Sequence, residues 1–379
     1  MKIGITCYPS LGGSGIVATE LGKFLAERGH TVHFITSGVP FRLGTYMRNI
    51  YYHEVEVNSY SVFRYPPYDL TLASRMAQVA RMAELDLLHV HYAVPHAVSA
   101  YLAKLMVGDH LKVVTTLHGT DITVLGYDPT LIDIIRFGIQ RSDYVTAVSE
   151  SLIQETKQLI CHDQEIACIY NFIDPAQYYR HDVTALRREY VNSEQKLLVH
   201  LSNFRKVKRA PDCVRILQQV RQQVDAKLLF IGEGPELPAV QQLTFELGLQ
   251  DYVMFLGKQE DITPMLSMAD LMLLPSEKES FGLSALEAMA CGVPVIASRA
   301  GGIPEVVIHG ETGFLAPIGA VDQMAADALK LLKHPMLWAE MSQHAVNWAK
   351  THFAAERIVT QYEEIYRKVL EGEGRREGA

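Results

Sequence analysis

Two carboxylates, Glu279 and Glu287, stand eight positions apart in "LLPSEKESFGLSALEAMACGVPVIAS" (273–298). The apolar run ending at Pro275 has strand character and Ser276–Ser280 has loop character. The pattern then predicts a helix from about Phe281 to Ala290, stopped by Gly292 and Pro294. The opening turn of such a helix, at Phe281, Gly282 and Leu283, offers backbone N–H groups at the positive end of the dipole, which suits phosphate. Gly282 lets a ligand approach the backbone closely. Glu287 falls about 7 Å further along the axis. A carboxylate there would repel phosphate but can accept hydrogen bonds from two ribose hydroxyls. Glu279, on the other side, suits the hydroxyls of a sugar. Hydroxyls, phosphates, then hydroxyls describe a nucleotide-diphospho-sugar. E-x7-E alone is common on solvated surfaces; the strand, loop and glycine around this pair give it meaning.

Other loops agree with that chemistry. "LSNFRKVKR" (201–209) follows an apolar strand and gathers Arg205, Lys206, Lys208 and Arg209 where a diphosphate would arrive. "IGEGPE" (231–236) is a glycine loop in which Gly232 and Gly234 permit close approach, a weak signal by itself. "GGIPEVV" (301–307) is assigned no role. "SLGGSG" (10–15) follows the first strand, and Gly13-x-Gly15-x-x-Ala18 imitates a dinucleotide fingerprint. That fingerprint needs an acid at the end of the second strand. Here the strand ends "FITSG", so nicotinamide binding is not expected, while the glycine loop can still hold donor phosphate or acceptor carboxylate. "TTLHGTD" (115–121) places His118 after a strand, where it can bond a sugar hydroxyl or steady developing charge. His89 and His91 in "HVHYAVPH" (89–96) share a strand face, but no third ligand has a convincing spacing, so no metal is expected.

These loops need elements to carry them. "KIGITCY", "TVHFITS", "DLLHVHY", "KVVTTLH" and "YVTAVS" alternate with helical stretches. The grammar restarts at "KLLVHLS" (196–202) and runs through "KLLFIGEG", "YVMFLG", "LMLLPS" and "PVIAS". Strands alternating with helices mean βαβ units and parallel sheets. Two starts mean two doubly wound domains: residues 1–168, then a linker at 169–182 rich in Tyr, Asp and Pro, then 183–354. A last helix from about Ala355 to Leu370, within 355–379, is expected to pack back on the first domain. Ligands of open parallel sheets bind beyond the carboxyl ends of the strands, so two such domains facing each other are expected to hold an interdomain cleft.

The 379-residue chain, 48% hydrophobic, suffices for two ordinary cores. Its net charge of −8 gives no field for nucleic acid or an anionic membrane. Residues 1–165, with 13 basic and 16 acidic side chains, hide no basic face for a lipid acceptor. "MKIGITCYPS" reads as a strand rather than a signal peptide, and no apolar run approaches a membrane span. The five cysteines are scattered, without disulfide or zinc spacing. A cytoplasmic protein with no cofactor is the expectation; homo-oligomerisation is left open.

Taken together, Gly12–Gly15, the His118 loop, the Arg205/Lys208 loop, "GEGP" and Glu279-x7-Glu287 followed by "GGIPE" resemble the retaining glycosyltransferases of family 4. The resemblance spans most of the chain. It implies the GT-B fold, two facing Rossmann-like domains. It also implies diphosphate on the helix N-terminus, ribose on Glu287 and donor sugar on Glu279. One departure is Asn203, which sits where family members commonly carry Arg, so that Arg205 is expected to take over that task. "LHGTDITVLGYDP" with "LSNFRKVKR" is most similar to the branch that moves N-acetylglucosamine from UDP-N-acetylglucosamine to L-malate in the first step of bacillithiol synthesis. A dicarboxylate acceptor calls for cations and donors from first-domain loops. Arg64, Arg136, Tyr92, Thr116 and Ser14 are the candidates. The expected roles are thus catalytic for His118, Arg205, Lys208 and Glu279. Donor binding falls to Gly13, Asn203, Gly232, Phe281, Gly282, Leu283 and Glu287. No carboxylate presents itself as a nucleophile for double displacement, so attack on the face from which phosphate departs is expected. The rivals are another small polar acceptor, a nucleotide-sugar epimerase on the same fold, and a non-catalytic sugar-nucleotide binder. Acceptor-dependent UDP release separates them.

Overall fold

The structure, a computed structural model, describes residues 1–9, 12–44, 46–57 and 64–372. Ser10 and Leu11 of the first glycine loop, and the tail from Glu373, lie outside the described residues. Backbone packing divides the chain into two units. Unit 1 comprises Met1–Asn171 and is rejoined by the chain from Ala355 onward; unit 2 comprises Phe172–Ala354.

Unit 1 holds seven strands: β1 (Lys2–Thr6), β2 (Thr31–Thr36), β3 (Ile50–Glu54), β4 (Leu87–His91), β5 (Lys112–Leu117), β6 (Tyr144–Ala147) and β7 (Ala167–Cys168). They pair in the order β3-β2-β1-β4-β5-β6-β7, every pair parallel. Unit 2 holds β8 (Lys196–Leu201), β9 (Ala226–Ile231), β10 (Val253–Phe255), β11 (Leu271–Leu274), β12 (Val295–Ser298) and β13 (Gly313–Ala316). Their order, β10-β9-β8-β11-β12-β13, is again all parallel. The central strands are near-continuous apolar runs, as sheets covered on both faces require; Leu197, Leu198, Val199, Met272 and Leu273 are fully buried.

Each sheet is doubly wound. Its order reverses between the first and fourth strands of the unit: at β1/β4 in unit 1 and at β8/β11 in unit 2. The loops leaving those strands flank a crevice at the carboxyl edge, the place where such sheets take ligands. The glycine loop and Tyr92 leave β1 and β4; Lys208 and Glu279 follow β8 and β11.

The boundary between the units, at 171/172, falls inside the expected linker 169–182. That segment is well packed: Phe172, Ile173 and Tyr178 are buried, and Ile173 donates its N–H to the Phe353 carbonyl at 3.0 Å. One feature departs from expectation. The helix after β11 spans Leu283–Ala290 rather than starting at Phe281. Gly282 is its N-cap at φ 101°, a left-handed conformation that suits glycine.

Candidate active site

In unit 2 the two switch-point loops lock together. Lys208 Nζ lies 2.5 Å from Glu279 Oε2, with both side chains largely buried. The Glu277 N–H donates to the Val207 carbonyl at 2.7 Å. Ser276 Oγ donates to the same Glu279 oxygen at 3.4 Å. Of the four basic residues after β8, Arg209 is claimed by Asp212 at 2.7 Å, while Arg205 and Lys206 are exposed. Among the described residues Arg205 has no ion pair. Arg205 and Lys206 thus stand exposed in this loop, and Lys208 stands paired with Glu279. Asn203 is exposed beside them.

The later helix start moves the first-turn amides that phosphate was expected to meet. Leu283 and the two residues after it now carry the N–H groups without intrahelical acceptors. Gly282 supplies the turn. Phe281 is a core residue, its ring edge-on to Phe353 at 5.7 Å. Glu287 is 4% exposed, and its Oε1 accepts the Tyr178 hydroxyl at 2.8 Å. That partner is not legible in the sequence, where Glu287 is expected to accept hydrogen bonds from two ribose hydroxyls.

Glycines of unit 2 admit neighbouring carbonyls. A Cβ on Gly232 would collide with the Ser202 carbonyl, and one on Gly234 with the Asn203 carbonyl. The Gly232 N–H is already donated to the Gly257 carbonyl at 2.8 Å. Gly232 thus lets the β9 loop close on the Ser202 carbonyl, at the start of the loop that carries Lys208, and its amide is engaged within the protein. "GGIPEVV" does the same for the other loop. A Cβ on Gly301 would strike the Glu279 carbonyl, one on Gly302 the Ser280 carbonyl, and the Gly302 N–H donates to Glu279 O at 2.9 Å.

Unit 1 assembles a second cluster. Gly13 opens the helix Gly13–Glu27, and Ser14 Oγ lies 2.9 Å from Tyr92 OH, which joins the β1 and β4 loops. Tyr92 holds φ 95°, a strained value for a non-glycine residue of the sort concentrated at functional sites. His118 Nε2 lies 2.7 Å from His91 Nδ1. Burial, reinforced by His96, pushes the His118 pKa down to about 3, although the residue keeps part of its surface open. The consequence is a neutral imidazole, a hydrogen-bonding group rather than a cation. Asp121 is fully buried and accepts the N–H groups of Ala93 at 3.1 Å and Gly119 at 2.9 Å. Burial raises its pKa to about 6 against the pull of those bonds. It ties the β4 and β5 loops together.

Two acceptor candidates are engaged elsewhere. Thr116 is fully buried, its hydroxyl 2.7 Å from both His89 Nε2 and Thr146 Oγ1, because it lies within strand β5 rather than beyond it. The Arg136 guanidinium donates to the Ile160 carbonyl at 2.8 Å and pairs with Asp133 at 2.7 Å. Arg64 is exposed over the Tyr65 ring, and Val62 and Phe63 before it lie outside the described residues. Among the described residues no group of three His, Cys, Asp or Glu side chains is arranged to hold a metal, and no helix is long and apolar enough to cross a membrane.

Doubly wound parallel sheets with cation, carboxylate and helix N-terminus at the switch point define a nucleotide-binding α/β protein. The comparisons make the class specific. Residues 11–177 match the model for Glycosyltransferase Family 4 and residues 182–351 that for Glycosyl transferases group 1. The chain belongs to glycosyltransferase family 4 and has the GT-B fold. It is 58% identical, over 98% of its length and 97% of the relative's, to N-acetyl-alpha-D-glucosaminyl L-malate synthase of Bacillus anthracis. It is 27% identical to a GDP-mannose-dependent alpha-(1-6)-phosphatidylinositol monomannoside mannosyltransferase of Mycolicibacterium smegmatis, over 77% of this chain and 80% of that one. Among solved structures it resembles sucrose-phosphate synthase from Thermosynechococcus elongatus (TM-score 0.84, 21% identity, 98% and 99% of the two chains). It also resembles Anabaena HepE in complex with UDP-glucose (TM-score 0.82, 22% identity, 97% and 100%).

Proposed function

We propose that this enzyme transfers N-acetylglucosamine from UDP-N-acetylglucosamine to the hydroxyl of L-malate with retention at the anomeric carbon, the first step of bacillithiol synthesis, in the cytoplasm. The observation that carries this reading is the 58% identity, across nearly the whole chain, to a relative named for that reaction. In our reading the donor lies on the unit 2 loops. Its diphosphate meets Arg205, Lys208 and the first-turn amides of Leu283–Ala290, which stabilise charge as the glycosidic bond breaks. Its ribose meets Glu287. Glu279, neutralised by Lys208 at 2.5 Å, is a poor nucleophile and instead orients the sugar. Asp121, with its oxygens on two backbone N–H groups, is no better placed to attack. These pairings support attack on the face that the phosphate leaves, with a phosphate oxygen taking the malate proton. Neutral His118 hydrogen-bonds a sugar hydroxyl. We assign the acceptor to Gly13, Ser14 and Tyr92, with Arg64 as its cation.

UDP release from UDP-N-acetylglucosamine, measured against L-malate, inositol phosphate and simple sugars, tests the proposal. Release that requires L-malate, with an α-linked product by NMR, is the expected result. Release that requires a different acceptor overturns the malate assignment. Epimerised donor formed without any acceptor overturns the transferase reading of this site.

A further inference from the structure

The geometry points to Tyr178 as the positioning residue for Glu287: its hydroxyl fixes the carboxylate that meets the donor ribose. The inference rests on the reading of Glu287 given above. Tyr178 lies 109 residues from Glu287 in sequence, yet its hydroxyl donates to Oε1 at 2.8 Å, and both residues are 4% exposed. A charge-assisted bond in so enclosed a place is stronger than one in water and is directional.

The segment that carries Tyr178 is itself held rigidly. The N–H groups of Gln177 and Tyr178 donate to the Asp174 carbonyl at 3.1 and 2.8 Å, and Asp174 Oδ1 accepts the Ala176 N–H at 2.8 Å. On one side Ile173 is tied to the Phe353 carbonyl. On the other, Arg180 donates to the Gly292 carbonyl at 3.1 Å, in the turn that ends the Glu287 helix, and lies over the Trp338 ring at 5.1 Å. Ser342 donates to the same carbonyl at 2.7 Å. A tyrosine clamped at both flanks cannot follow a wandering carboxylate; the carboxylate must conform to it. A phenylalanine would fill the same volume, so the packing of the segment does not call for the hydroxyl. What the hydroxyl adds is one fixed oxygen on Glu287, and with it the plane in which the carboxylate meets a diol.

Calorimetric titration of wild type, Tyr178→Phe and Glu287→Gln with UDP and with 2′,3′-dideoxy-UDP tests this. In the wild type, UDP should bind more tightly than the dideoxy ligand. Tyr178→Phe should weaken UDP about 10-fold, the scale of one hydrogen bond to a charged group, while dideoxy-UDP is nearly unaffected. The KM for the sugar nucleotide should rise with kcat nearly kept, and the melting temperature should fall modestly, because the buried Glu287 carboxylate loses a hydrogen-bond donor. Equal weakening of both ligands would mean that Tyr178 only packs, and an unchanged UDP affinity would mean that its hydroxyl is idle; either overturns the inference while leaving Glu287 in place. If instead the wild type does not distinguish the two ligands and Glu287→Gln binds UDP normally, the ribose reading of Glu287 fails, and the role of Tyr178 with it.

Discussion

At the residue scale, the Lys208–Glu279 pair is the feature with the sharpest kinetic consequence. The ammonium faces a carboxylate at 2.5 Å, so the cation is held in place before any phosphate arrives. Lys208→Met should lower kcat by about 100-fold or more, the scale of losing one preorganised charge on a leaving group. It should change UDP affinity less, because the charge grows as the bond breaks. In the proposed pose the single variant also leaves the Glu279 charge without its cation beside the diphosphate, so adding Glu279→Gln should restore part of the lost UDP binding. Steady-state kinetics and titration of both variants decide the matter: a pure rise in KM at constant kcat would contradict the assignment. Glu279, Glu287 and Lys208 stood out in the sequence because residue type and position after a strand are local properties. Tyr178 did not, since its value lies in a contact across 109 residues. Nor could the sequence tell that the Arg209 charge is spent on Asp212, or that the Thr116 hydroxyl is taken up by His89 and Thr146.

At the element scale, alternation of strand and helix gave away both parallel sheets, and it failed where strands are short or polar. β3, with the sequence "IYYHE", pairs only with β2 and lacks the apolar run of a central strand. β13 has four residues and begins at Gly313. The glycine loops were visible while their purpose was hidden, because a glycine that admits a ligand and one that admits a neighbouring carbonyl read alike. Gly301 separates the two. Its φ of 50° and the Glu279 carbonyl against its Cα leave no room for a methyl group. Gly301→Ala should therefore displace the Glu279 loop and weaken UDP binding by about 10-fold or more, with loss of thermal stability, since a residue strained in this way costs about 1–3 kcal/mol before the collision is added. Gly248→Ala is the control: its φ is 67°, nothing lies within 4 Å of the added carbon, and the residue is remote in sequence from either loop. It should cost about 1 kcal/mol of stability and leave UDP affinity unchanged. Equal UDP binding by both variants would show that the loop does not depend on this close packing.

At the scale of the whole molecule, the two units differ in what acid should do to them. Unit 1 buries His89 and His96 completely and His33 almost so, and burial lowers their pKa values to about 3, about 4 and about 4. His91 between them is pushed well below the ordinary value for the same reason. Unit 2 has one such residue, His200, at about 4. A histidine kept neutral in the fold but free to protonate when unfolded removes stability as pH falls below about 6.5, until its folded pKa is reached. Asp121 acts in the opposite sense: raised to about 6 in the fold, it adds stability as pH falls from there towards the unfolded value, offsetting roughly one histidine. With His118 counted among them, five histidines against Asp121 leave unit 1 a loss of about 5 kcal/mol per pH unit between about pH 6 and pH 5, against about a quarter of that for the single histidine of unit 2. That loss is comparable with the whole stability of an ordinary domain within two or three pH units. The chain reports the difference by itself, because its two tryptophans, Trp338 and Trp348, both belong to unit 2, while Tyr362 and Tyr366 are buried in unit 1, the latter with its hydroxyl 2.7 Å from His89 Nδ1. On acid titration, amide hydrogen exchange in β4, β5 and the helix Ala355–Glu371 should accelerate at a higher pH than the tryptophan fluorescence changes. A single midpoint shared by both signals would show that the buried histidines of unit 1 do not set the acid limit of this protein.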